Sequence, residues 1–247
     1  ETLPYDQISP HQDLVSDRLA TLYQLTQRAF DLVVVPVTTA LYRLTPAQYL
    51  AARTFFLKQG ERLDLERFRA QLTLAGYSHV SQVVAPGEYC VRGGLIDLFP
   101  MGSAVPYRID LEDRDIESLR TFDVDTQRTI YKVNEVRLLP GREFPLDDDA
   151  RALFRRRFRE RFEGDPSKRE VYKAIGRGGV PAGIEYYLPL FFEQTAVLTD
   201  YIPAETLVCL HGDIAAAIGR FQDDTKARYV LMRGDPDRPL LEPGELF

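Results

Sequence analysis

Between residues 79 and 139, short apolar runs alternate with turn residues, and this pattern limits the possible folds more than any other feature of the sequence. Such runs are typical of strands in an antiparallel sheet. The predicted strands are 53–59, 80–84, 88–92, 95–99, 105–112, 116–122 and 133–139. Asp113 and Arg114 would form a hairpin tip, and Asp64 would cap a helix that Gly76 ends. We therefore predict a mostly antiparallel α+β domain over residues 49–142, with this helix packed on its sheet.

Two dense apolar runs flank that domain, at residues 31–37 (DLVVVPV) and 206–211 (TLVCLH). Continuous apolar runs are typical of strands that are buried on both faces of a parallel sheet. Ser9 would cap a helix before the first run, and Asp213 would cap one after the second. We therefore predict an α/β domain, formed by residues 1–48 and 143–235, in which both runs join one sheet. Residues 236–247 are rich in proline and predict a linker.

The sequence lacks the motifs of several enzyme and metal-site classes. It contains no Gly-Lys pair, which excludes a P-loop in these residues, and no G-x-S-x-G motif. Its three histidines do not have a zinc-binding spacing. The two cysteines cannot form a disulfide framework, which favours a cytoplasmic protein, and Cys90 would point into the core. We therefore expect no catalytic, cofactor-binding or metal-binding residues.

Net charge and hydropathy argue against two further classes, although a local patch could still bind nucleic acid. The formal net charge of -6 argues against general binding to nucleic acid, and no apolar stretch is long enough for a membrane helix. The carboxylates of Asp110, Glu112, Asp113 and Asp115 could bind a hard cation, but Asp115 stands where a calcium loop needs glycine. Solvated turn charges, or a contact surface for a basic partner, fit this cluster better.

Two arginines are candidates for recognition. Arg92 ends a predicted strand, and Arg108 lies in the middle of another. Spacing alone favours a structural ion pair with Asp97 or Asp110. An exposed arginine could instead anchor a partner protein, because its planar guanidinium pairs in two directions with a carboxylate.

A dense basic run, at residues 155–161, follows a helix start at Asp147. The run could contact a DNA backbone. However, Phe154, Phe158 and Phe162 recur every four residues, which is typical of a helix with one buried face. A solvated helix surface is therefore the favoured interpretation.

Residues 87–100 (GEYCVRGGLIDLFP) closely resemble a segment of the bacterial transcription-repair coupling factors, and the excision-repair helicase subunit UvrB has a similar segment. The resemblance extends to residues 1–6, 9–11, 18–22, 119–123, 126–128, 138–140, 143–145 and 181–187. It covers nearly the whole chain. Because the first residue is Glu1 rather than Met, the sequence also looks like a fragment of a longer protein.

The resemblance implies a UvrB-like N-terminal module, in which a degenerate helicase-type (RecA-like) α/β domain is interrupted by a domain that binds UvrA. Such a module is not an enzyme; it recruits the excision-repair protein UvrA to stalled RNA polymerase. RNA polymerase and DNA would be bound only by other regions of the parent, which is expected to be an ATP-dependent DNA translocase. The residues that match the recruiting surface are Arg92, Arg108 and Glu112.

The alternative is a DNA-binding or ATP-driven DNA enzyme domain related to UvrB. Two departures from UvrB oppose it. Residues 5–18 are too short for the long hairpin with which UvrB separates DNA strands, and nucleotide-binding residues are missing.

Overall fold

The computed structural model describes residues 3–247. The helices are α1 (Gln12–Thr26), α2 (Val37–Ala40), α3 (Ala47–Arg53), α4 (Leu65–Ala75), α5 (Asp148–Arg161), α6 (Glu170–Gly176), α7 (Ile214–Met232) and α8 (Pro243–Leu246). The strands are β1 (Phe55–Lys58), β2 (Ser78–His79), β3 (Glu88–Arg92), β4 (Leu95–Phe99), β5 (Tyr107–Glu112), β6 (Asp115–Phe122), β7 (Thr129–Val133) and β8 (Glu135–Leu138). Short 3₁₀ helices occupy Pro166–Lys168, Ile184–Phe191 and Leu198–Tyr201.

The chain divides into two compact units. The sheet unit comprises His11–Tyr23 and Gln48–Pro145. The helical unit comprises the described residues through Pro10 together with Gln24–Ala47 and Leu146–Phe247. The domain limits that we predicted from the sequence remain a prediction.

The sheet unit contains a six-stranded sheet in the order β2-β3-β4-β5-β6-β7 and a two-stranded sheet formed by β1 and β8. All pairs are antiparallel except β2 with β3, so the mostly antiparallel prediction is confirmed. The predicted hairpin tip is also confirmed, since Glu112 pairs with Asp115 and Asp113 adopts a φ of 54°. The predicted strand 80–84 is wrong, and β7 was not predicted.

One face of the large sheet forms the core of this unit. Ile96, Leu98 and Ile109 are completely buried on it. Helix α4 lies on this side of the sheet, where the Thr73 hydroxyl is 3.5 Å from the hydroxyl of Tyr89 in β3. The helix buries Phe68 and Leu72, which stabilises the fold by about 2 kcal/mol per side chain. The predicted helix limits are confirmed. The Asp64 carboxylate accepts a hydrogen bond from the Arg67 amide at 3.0 Å, and Gly76, with a φ of 92°, ends the helix.

The helical unit does not contain the predicted parallel sheet. Among its described residues, the bridge between Leu44 and Ala196 is the only β pairing. The predicted strands 31–37 and 206–211 are therefore wrong. Because neither segment has a neighbouring strand, their side chains face solvent; Leu32 is 80% and Leu207 85% exposed. The helicase-type fold is not confirmed.

The core of the helical unit is aromatic. The ring centroids of Phe154 and Phe191 lie 4.7 Å apart, and those of Phe154 and Phe158 lie 5.8 Å apart. Asp147 and Asp213 cap α5 and α7, each accepting a backbone hydrogen bond at 3.0 Å. The predicted cap at Asp213 and the predicted helix start at Asp147 are confirmed. In residues 3–247, no helix combines the length and hydropathy needed to cross a bilayer.

Two terminal segments of this unit differ from expectation. Ser9 does not cap α1, because its hydroxyl donates to Glu185 at 2.9 Å and accepts from the Gly183 amide at 3.0 Å. Residues 236–247, for which we predicted a linker, place Leu241 and Leu246 in the core of the unit.

Candidate functional site

The candidate site lies on the second face of the large sheet, opposite the face that α4 covers. Strand pairing builds it, because Cys90 of β3 lies beside Asp97 of β4, and Asp97 lies beside Arg108 of β5. Arg92 is the last residue of β3. The turn that follows requires Gly93, which adopts a φ of 63° that most side chains disfavour.

Asp97 is the centre of the site, and its side chain is only 1% exposed. Its carboxylate accepts two hydrogen bonds from Arg108, at 2.7 Å from Nε and 3.0 Å from Nη2. Arg92 donates a third hydrogen bond, from Nη2 to Oδ2. The site therefore combines two guanidinium groups with one buried carboxylate, and it carries one net positive charge.

Arg108 is mainly a structural residue. Its side chain is 16% exposed and stacks over the Phe122 ring at 4.9 Å. Its Nη1 also donates to the Gln127 carbonyl at 3.1 Å. The hydrogen bond to Asp97 raises the pKa of the Arg108 guanidinium above its ordinary value. The ion pair that spacing favoured for Arg108 is thus present.

Arg92 has features of both a structural ion pair and an exposed recognition residue. It pairs with Asp97, but 53% of its side chain remains exposed. Because Asp97 accepts a hydrogen bond from Nη2 of Arg92, it restrains the guanidinium group while the other nitrogens remain available to a partner. This preorganisation lowers the entropy that a partner must remove on binding.

Glu112 lies on the same face, four residues beyond Arg108 on β5, and is exposed. Asp110 lies between them along that face. It accepts a hydrogen bond from Ser118 at 2.6 Å, and its carboxylate is 3.7 Å from Arg120. The structure therefore places all three predicted residues on one sheet face, with Glu112 at the hairpin end and Arg92 and Arg108 joined through Asp97.

The sequence did not identify Arg120 and Lys132, which share this face. Arg120 of β6 pairs with Arg108, and Lys132 of β7 pairs with Arg120. The pairing of β6 is irregular, with β5 next to Asp110 and with β7 between Arg120 and Phe122, and this hides the register from the sequence. Alternation next to the buried Leu119 could place Arg120 on the outer face, but not beside Arg108 and Lys132.

The basic run in α5 is largely paired. Arg157 donates to the Pro189 carbonyl at 3.0 Å and to Glu193 at 2.8 Å. Arg161 pairs with Glu245 at 2.6 Å, and Arg155 lies 4.8 Å from the Tyr172 ring centroid. The helix surface is therefore neutralised within the helical unit, in agreement with the favoured interpretation.

Two other features were considered from the sequence. Cys90 is buried, as predicted, and its thiol donates to the Ser81 carbonyl at 3.4 Å. Residues 3–247 contain no group of three or more His, Cys, Asp or Glu side chains that could hold a metal ion.

Comparisons with known proteins found one domain model and a group of relatives. Residues 55–144 match the model of the UvrB interaction domain. The chain is 48% identical over 248 residues to the transcription-repair-coupling factor of Escherichia coli, and 46% identical over 250 residues to that of Haemophilus influenzae. Both alignments cover 100% of this chain and 22% of the relative. The Bacillus subtilis protein is 28% identical over 212 residues, which cover 80% of this chain and 18% of the relative.

The chain thus spans about a fifth of the length of the curated relatives it matches, 22% for the first two. The match of the family model includes every strand of the sheet unit and all of the candidate site. The chain is therefore a relative, over its whole length, of one segment of the bacterial transcription-repair-coupling factors, and its residues 55–144 match the UvrB interaction domain.

Proposed function

We propose that this chain is a non-catalytic recruitment module that binds UvrA through the sheet face carrying Arg92, Arg108 and Glu112. The observation that carries the proposal is the buried Asp97 carboxylate, which orients two guanidinium groups on one face and leaves Arg92 53% exposed. Oriented arginines at an interface form strong, directional hydrogen bonds to carboxylates. The partner would therefore present acidic groups to this face.

The parent's role is part of the same proposal. The name of the relatives refers to the coupling of transcription to repair, and the matched model is named the UvrB interaction domain. We propose that the parent brings the excision-repair machinery to stalled RNA polymerase, in the cytoplasm, and that RNA polymerase and DNA contact other regions. The fragment itself would perform no catalysis.

A helicase-type origin of the helical unit also remains a proposal. Its support is the composition of residues 32–35 and 207–210, whose apolar side chains are typical of strands buried in a parallel sheet. These segments lie outside the candidate site and do not enter the argument for UvrA binding.

Calorimetry with purified UvrA tests the recruitment proposal. The wild-type chain should bind, and Arg92→Ala should weaken binding about thirtyfold, which corresponds to a loss of about 2 kcal/mol at a central arginine anchor. Arg67→Ala is the matched control, because Arg67 is exposed on α4, which covers the opposite face of the sheet. No binding by the wild-type chain, or equal loss in the control, would contradict the proposal.

A further inference from the structure

Three cationic residues lie side by side across the outer strands of the candidate face. Arg108 of β5 is directly opposite Arg120 of β6, and Arg120 is directly opposite Lys132 of β7. Arg92 of β3 lies on the same face, two residues along its strand from this row, and reaches Asp97 through its side chain. Like charges in directly opposed positions are unfavourable for a sheet.

The fold neutralises only part of this row. Asp97 pairs with Arg92 and Arg108, and the Asp110 carboxylate is 3.7 Å from Arg120. Lys132 is exposed and has no carboxylate within 4.0 Å among residues 3–247. Within this row, four cationic side chains are thus paired with only two carboxylates, those of Asp97 and Asp110. Cationic side chains that are close together without full neutralisation do not stabilise the fold, and such an arrangement is expected where a partner binds.

The dimensions of the row fit a protein surface. Neighbouring strands lie about 4.8 Å apart, so the row from β3 to β7 spans about 19 Å. A small anion would contact only one or two of these cationic side chains. Glu112, Asp113 and Asp115 lie at the hairpin end of the same sheet, where they would repel a nucleic-acid backbone. A protein can present discrete acidic side chains to the basic row without extending over the acidic end.

We propose that Arg120 and Lys132 extend the docking surface across β6 and β7, and that the partner presents a matching row of acidic side chains. The inference rests on the proposed function, which supplies UvrA as the partner. It adds that the contact continues beyond the Arg92–Asp97–Arg108 group to the edge of the sheet. Lys132, which has no carboxylate partner among the described residues, would then form an ion pair with an acidic side chain of the partner.

The test is calorimetry of UvrA binding to Arg120→Ala/Lys132→Ala at several salt concentrations. The double variant should bind at least tenfold more weakly at low salt, and its affinity should depend less on salt than that of the wild-type chain. Its thermal midpoint should be unchanged or higher, because opposed like charges are removed, so the loss would not reflect unfolding. Arg67→Ala should match the wild type.

Each contrary result has a distinct meaning. Affinity within twofold of wild type, while Arg92→Ala is weakened, would end the surface at β5 and leave the recruitment proposal intact. Absence of wild-type binding would overturn both proposals. Loss of duplex DNA binding in a gel shift, with UvrA affinity unchanged, would reassign the row to nucleic acid and overturn the inference.

Discussion

The Asp97 carboxylate accepts two hydrogen bonds from Arg108, at 2.7 and 3.0 Å, and is 1% exposed. An arginine that lies on the proposed recognition surface is therefore also the main counterion of a buried charge. Arg92 shares the same carboxylate but stays 53% exposed. The sequence alone does not distinguish the two arginines. We expect Arg108 to contribute mainly to stability and Arg92 mainly to recognition.

Truncation of each arginine should separate these contributions. Arg108→Ala should lower the free energy of unfolding by about 2–3 kcal/mol, because it removes the closest partner of a buried carboxylate. Arg92→Ala should cost less than about 1 kcal/mol, since exposed ion pairs contribute little. Chemical denaturation monitored by circular dichroism measures both values. Equal losses would show that the two arginines neutralise Asp97 to the same extent.

Asp97→Asn tests whether the carboxylate orients the arginines. The substitution keeps the shape of the side chain but leaves two guanidinium groups without their buried counterion, which should cost about 2 kcal/mol of stability. It also raises the positive charge of the face. A purely electrostatic attraction to UvrA would then become stronger, whereas we expect weaker binding because Arg92 loses its fixed orientation. Calorimetry, on variants shown to be folded at the assay temperature, distinguishes stronger from weaker UvrA binding.

Much of the sheet unit could be predicted because its strands carry local signals. The tight turns around Asp113 and Gly93 set the hairpins, and the Asp64 cap and Gly76 terminus set α4. The helical unit was less predictable. Its two apolar segments have strand composition, but a strand also needs a hydrogen-bonding neighbour, and composition does not reveal whether one is present.

The site was partly predictable for the same reason. The motif around Arg92 identified the face. Spacing allowed either Asp97 or Asp110 as the ion-pair partner, and the structure shows that it is Asp97. The roles of Arg120 and Lys132 depend on register across β6 and β7, and irregular pairing breaks the simple alternation there. Long-range register is a property of the assembled sheet, so these residues required the structure.

Glu112 provides a test of the sign of charge on the partner. It is exposed on the same face as Arg108, and an acidic partner would be repelled by its carboxylate. We expect Glu112→Gln to bind UvrA up to about twofold more tightly, a gain of about 0.4 kcal/mol. Titration calorimetry at low salt resolves a change of this size. Weaker binding would instead place a basic side chain of UvrA opposite Glu112.

The basic helix α5 should contribute to stability and not to recognition. Arg157 donates to the Pro189 carbonyl at 3.0 Å, to the Phe192 carbonyl and to Glu193, so its side chain satisfies the end of the aromatic 3₁₀ segment. Arg157→Ala should lower the thermal midpoint, because it leaves these carbonyl groups without a charged donor, at a cost of about 1–3 kcal/mol. UvrA affinity should stay unchanged. If α5 instead bound a DNA backbone, the wild-type chain would shift duplex DNA with a steep salt dependence, and Arg157→Ala would reduce both the affinity and the slope.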